Sequence, residues 1–244
     1  MTDNYIGANL KGKNLRYSYL AGVNLSGADL TEADLSGADL TEADLSGANL
    51  TRADLNKANL SGAILNGAIL DKANLIEANL NYAETQEASF VYSLLNKSSL
   101  HGVNLVNSDC SYATFNLADM TYANCRAVNF AKASLQKITA EYAMFGSANL
   151  AFACLENANL RRSNLIGCNL RGANLVLSNL LDADLSEANL DYADFKNSIL
   201  TGVILAGVNL ETVKNLNGAT FLKEICEEND ELTIEDLLKI NNLL

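Results

Sequence analysis

The chain has no proline and no tryptophan, a single histidine among 244 residues, and only 7% aromatic residues. One histidine leaves a Ser-His-Asp or Cys-His arrangement little to work with, so nucleophilic catalysis of that kind has no visible machinery. The five cysteines show no CxxC or zinc-like spacing, which argues against both a metal site and a disulfide framework. No apolar run reaches the ~18 residues of a membrane span, and Met1–Leu10 lacks the apolar stretch of a signal peptide. Lysine and arginine are too sparse to neutralise phosphates: net charge is −12, and Arg161-Arg162 is the densest basic spot. Free nucleic acid is therefore not an expected partner, no cofactor or metal is expected, and a cytoplasmic setting without membrane contact is.

What the chain has instead is leucine, alanine and a period of five. From Leu10 to Leu210 every fifth residue falls at one phase; of these 41 positions, 31 are Leu and five are Phe. The others are Thr85, Cys110, Met120, Cys125 and Ala140. Two residues earlier in each unit, 26 of 41 are Ala, seven Ser and five Val, with Lys13, Ile138 and Cys168 as exceptions. The residue between is Asp or Asn in 27 of 41 units. Internal repetition of this kind decides the architecture before any local propensity does.

Neither regular element accommodates the period. Five residues turn an α-helix through ~500°, a net ~140°, so the leucines would wind around the cylinder. In a flat strand the odd period sends successive leucines to opposite faces. Both conflicts vanish if the chain turns one corner per unit: the small residue and the Leu point inward on a short extended segment, and the rest faces out. Glycine at the second position after the Leu (Gly27, Gly37, Gly47) suits the positive φ of a type II turn.

Units such as Ala28-Asp29-Leu30-Thr31-Glu32 and Ala33-Asp34-Leu35-Ser36-Gly37 resemble the pentapeptide-repeat family, over roughly residues 8 to 210. The family is especially abundant in cyanobacteria. The resemblance implies an all-β solenoid, a right-handed quadrilateral β-helix with four pentapeptides per coil. Forty-one units then make about ten coils, a rod ~50 Å long at the spacing of paired strands. Residues twenty apart stack, so Leu10, Leu30, Leu50 and Leu70 form one inward column. Ile138 and Ala140 share a unit in which the small site is enlarged where the large site is reduced, as volume conservation requires. Thr85 needs a hydrogen-bond partner, and Lys13 at an inward phase predicts an open first coil. Residues 1–7 allow a partial unit around Tyr5 and no dedicated cap.

The rod is assigned to residues 1–220 and a C-terminal helical cap to 221–244. After Leu210 the phase slips by one residue, Leu216 and Phe221 resume it, and helices are predicted over about 221–228 and 234–243. Thr233 is a candidate N-cap, with Asp236 three residues on. Ile234, Leu237, Leu238, Asn241 and Leu244 share one helical face, which could fold over the last coil or pair two copies into a homodimer.

For function, the repeat implies a non-catalytic scaffold binding another protein through one rod face or the cap. Two groups could supply contacts. Tyr82, Tyr92, Tyr112, Tyr122 and Tyr142 fall where the consensus weakens, all at the second position after the central residue. At a register of twenty Tyr92 meets Tyr112 and Tyr122 meets Tyr142, on opposite faces, with Phe152 two coils beyond Tyr112. These rings either stabilise the surface as ladders or form a binding patch. Val176, Leu177 and Leu181 make a second outward apolar group, and Ile64, Ile69, Ile199 and Ile204 break the Asp/Asn rule. A different function class rests on the acidic stretch Asp29, Glu32, Asp34, Asp39, Glu42 and Asp44. Some relatives carry a negative surface that imitates DNA and occupies the DNA-binding site of type II topoisomerases. Asp at the middle position is also repeat consensus that keeps a rod soluble, and the projecting loops of topoisomerase-protecting relatives are absent. Cys110, Cys125 and Cys168 fall at inward phases, and Cys154 faces out.

Overall fold

The computed structural model describes residues 4–221. The expected helices, with Ile234, Leu237, Leu238, Asn241, Leu244 and Cys226, lie outside the described residues.

Every pentapeptide makes the same bend. Except at Ile138, the amide of the small residue donates to the carbonyl of the preceding large inward residue, as Ala33 N does to Leu30 O at 3.0 Å. The residue before that amide has a positive φ, the left-handed conformation expected at the third position of a type II turn. Twenty-eight non-glycine residues accept it, among them Glu32 (58°), Tyr82 (58°) and Ala127 (55°). That conformation costs an L-residue ~1–2 kcal/mol, so burial and hydrogen bonding between coils must offset a strain repeated at every corner.

Four bends close a coil. Extended segments pair in parallel with the segment twenty residues on, from Asn4 with Asn24 through Asp184 with Ile204. Each unit makes three bonds between coils: Leu30 N to Asn49 O (2.7 Å), Glu32 N to Thr51 O (3.0 Å) and Asp29 N to Ala8 O (2.9 Å). The slip expected after Leu210 is present, with Asp194 facing Asn215 and Ile199 facing Thr220, a spacing of twenty-one.

Leu and Ala columns fill the tube; from Ala28 to Ala83 every inward side chain is at most 1% exposed. Removing a Leu from water is worth roughly 1.5–3 kcal/mol, which drives the inward phase of the repeat. Where the columns depart from Leu, volume is conserved along them. Cys110 lies by register between Phe90 and Phe130, and Cys125 precedes Phe145. Phe115 and Phe130 meet edge to face at 5.6 Å. Ile138 and Ala140 are both buried, as their compensation requires. Thr85 finds its partner in the carbonyl of Asn104, to which its hydroxyl donates at 2.8 Å.

The inward serines have a reason that composition did not reveal. Ser98, Ser163, Ser178 and Ser198 each donate a hydroxyl to the carbonyl three residues back, at 2.6–2.8 Å. These four buried hydroxyls are thus satisfied within their own corners, whereas Ser108 donates to the Thr85 carbonyl of the preceding coil, and Ser fits the space of Ala. The first coil is open: Lys13 is exposed, and Leu10, Leu15 and Leu20 are only partly buried. At the other end of the described residues Leu200, Leu205, Leu210, Leu216 and Phe221 line an apolar recess.

Candidate functional site

The consensus Asp and Asn are occupied by the corners. Asp29 Oδ1 accepts from the Thr31 amide (3.0 Å) and hydroxyl (2.6 Å), and Asp34 and Asp39 do the same with Ser36 and Thr41. These bonds favour the charged form, first through the hydroxyl, and hold all three carboxyls below their ordinary range. Asp29, Asp34, Asp39 and Asp44 occupy the outward position of four successive segments, one on each side of a single coil. Glu32 pairs with Arg52 at 3.4 Å. The acidic stretch is therefore a ring around the rod at one level. A DNA-like surface spreads charge along its axis, one per ~1.7 Å.

The tyrosines form two columns on opposite corners. In one, Tyr122 and Tyr142 stack at 5.1 Å and 10°, and Arg162 donates to the Tyr142 hydroxyl (2.8 Å) and to Asp182 (3.3 Å). Gly102 interrupts this column, and the neighbouring His101 ring fills the interval, 5.5 Å from both Tyr82 and Tyr122 and edge-on to each. The lone histidine is thus a rung of a ladder. In the other column Tyr92 and Tyr112 stack at 4.7 Å, and Lys132 donates to the Tyr112 hydroxyl at 3.0 Å. Phe152 lies over Gly172, where a Cβ would sit 2.7 Å from the ring. Stacked neighbours cover ring faces, so these columns offer edges and hydroxyls to solvent and brace the corners.

One face of the rod differs from the others. It runs between the corner bearing Tyr92, Tyr112, Lys132 and Phe152 and the corner bearing Lys97, Leu117, Lys137 and Leu177. Its outward row reads Leu94, Thr114, Ser134, Cys154, Asn174. Four successive coils lack the Asp or Asn that the repeat places there. Tyr92, Leu94, Tyr112, Leu117, Phe152 and Leu177 are each 40–58% exposed. Of the candidates from sequence, Tyr92, Tyr112, Phe152, Val176 and Leu177 gather here. Tyr82, Tyr122 and Tyr142 belong to the opposite corner, and Leu181 lies one corner past Leu177. The sequence reading missed Leu94, Leu117 and the three lysines. Folding the chain at twenty residues and reading down each column would have found them.

Cys110, Cys125 and Cys168 are buried, and desolvation raises all three thiols, Cys168 to about 12. Cys154 is half-buried on the distinct face. Among the described residues no group of three His, Cys, Asp or Glu could hold a metal ion, and no helix is long and apolar enough to cross a membrane.

Comparison with known proteins agrees with this geometry. The family model described as pentapeptide repeats matches in eight copies over 8–47, 43–81, 83–121, 98–136, 143–180 and 178–214. No curated protein matches. Among solved structures, a trypsin-treated form of QnrB1, a plasmid-mediated fluoroquinolone resistance protein, is 17% identical over 78% of this chain and 91% of its own, with a TM-score of 0.53. HetL, from the cyanobacterium Nostoc sp. strain PCC 7120 and involved in heterocyst differentiation regulation, is 29% identical over 89% of this chain and 87% of its own, with a TM-score of 0.40. Proteins of this kind fold as right-handed quadrilateral β-helices. With its repeats matched over most of its length, this chain belongs to the pentapeptide-repeat family.

Proposed function

We propose that this chain is a non-catalytic protein-binding module that engages its partner through the face carrying Leu94, Thr114, Ser134 and Cys154. The observation that carries the reading is the replacement of the outward Asp/Asn row, over four successive coils, by a surface edged with six exposed apolar side chains. The corners of this face take their acceptor from the preceding coil instead, the Asn116 amide donating to Asn96 Oδ1 and the Gln136 amide to Asn116 Oδ1, both at 3.0 Å, which frees the outward position. Exposed aromatic and aliphatic side chains in a contiguous band serve partner binding. The rod supplies rigidity: coils at a fixed register hold the band flat. The acidic ring supplies solubility, and the tyrosine column at Tyr82, Tyr122 and Tyr142 braces the opposite corner. Residues 221–244 we assign to covering the apolar recess at the end of about ten coils, with Ile234, Leu237, Leu238 and Leu244 as the contacts.

The test is recovery of the native partner from lysate by the full chain and by a variant restoring polar side chains, Leu94→Asn with Leu117→Ser and Phe152→Thr. All three side chains are exposed, so the rod survives. Loss of the partner supports the reading, and undiminished recovery removes it.

A further inference from the structure

We infer that the partner presented to this face is an acidic segment carrying apolar side chains. The inference rests on the proposed binding face and adds the chemistry of its occupant. Over residues 92–97, 112–117, 132–137, 152–157 and 172–177 the chain carries Lys97, Lys132 and Lys137 against one carboxylate, Glu156. A molecule of net charge −12 thus turns one cationic face to solvent.

The lysines sit at the two corners and the apolar groups beside and between them. Lys132 is held against Tyr112, its ammonium 5.1 Å from the ring centre and donating to the hydroxyl. Lys97 pairs at 3.6 Å with Glu77, which stands one coil before it on the same corner. Lys137 makes no ion pair with any described residue. Glu156 is engaged by Gln136 at 3.5 Å. An incoming carboxylate therefore meets ammonium groups at both edges while its apolar neighbours reach Leu94, Leu117, Phe152 and Leu177. The acids gather elsewhere, as at Asp29, Asp34, Asp39 and Asp44, and a basic partner would find its attraction there. Complementary charge across such a face sets partner choice and encounter rate.

The experiment uses the full chain carrying Cys226→Ser, so that Cys154 is the accessible thiol. Three synthetic peptides share one leucine pattern and carry Glu, Gln or Lys at the remaining positions. Affinity is measured by calorimetry, and location by protection of Cys154 from alkylation. The Glu peptide is expected to bind on the order of tenfold tighter than the Gln peptide and to slow Cys154 alkylation, with the Lys peptide weakest. Lys97→Glu with Lys132→Glu and Lys137→Glu should reverse that order. If Glu and Gln peptides bind alike, and both are lost with Leu94→Asn, Leu117→Ser and Phe152→Thr, the charge inference falls and the binding face stands. If no peptide protects Cys154, both fall. If the Glu peptide binds but charge reversal leaves its affinity unchanged, the inference is overturned.

Discussion

Gly102 offers a direct measurement of what the aromatic column contributes. Its φ is +63°, and a Cβ there would lie 2.8 Å from two carbons of the Tyr82 ring. Gly47 has the same φ with nothing within 4 Å of the corresponding position, so Gly47→Ala isolates the backbone effect. Ala127 already adopts φ 55°, which shows that alanine is accommodated at such a corner. The backbone cost of ~1–2 kcal/mol is partly offset by the ~0.4–1 kcal/mol gained from a less flexible unfolded chain, leaving about 1 kcal/mol for Gly47→Ala. Gly102→Ala must in addition push Tyr82 aside, and with it the edge-on contact to His101 at 5.5 Å. Such aromatic pairs are worth ~0.5–1.5 kcal/mol, so Gly102→Ala should cost about 2 kcal/mol. Urea unfolding followed by circular dichroism gives both values, with Tyr82→Ser and the double variant completing a cycle. The double variant should show coupling of about 1 kcal/mol, because removing the ring removes the clash. Equal losses at Gly47 and Gly102, or no coupling, would refute the account of the column.

Ala140→Leu should cost ~1–3 kcal/mol by overpacking, and Ile138→Ala in the same chain should recover most of it, read from the same unfolding curves. The depressed carboxyls of Asp29, Asp34 and Asp39 make a stabilising contribution that is complete above the ordinary value of 3.8 and is lost as pH falls through their lowered folded-state values. An acid titration of melting temperature should therefore fall less steeply when all three are replaced by Asn, which keeps the corner's acceptor without the proton. Native alkylation should label Cys154 ahead of Cys110, Cys125 and Cys168, since burial raises those three thiols. Rapid native labelling of Cys110 would contradict its closed position between Phe90 and Phe130.

The fold was legible because its signal is redundant. Leu at one phase and Ala two residues earlier demand a bend every five residues, and no single exception undoes that. The site was legible only in part. Tyr92 and Tyr112 drew attention as aromatics, while Leu94 reads as one more leucine beside Leu95 and Leu117 as a lapse at a corner. Their significance lies in what stands twenty residues above and below them. The acidic stretch shows the converse: adjacent in sequence, Asp29, Asp34, Asp39 and Asp44 occupy four different sides once the chain turns between them.

The sequence by itself determined the inward columns, the corner chemistry and the slip after Leu210, because each follows from which side chains leave water within a single unit. The tertiary structure alone decided which surfaces exist. A face is assembled from units twenty residues apart, and its charge and apolarity are sums over coils that no stretch of contiguous residues contains.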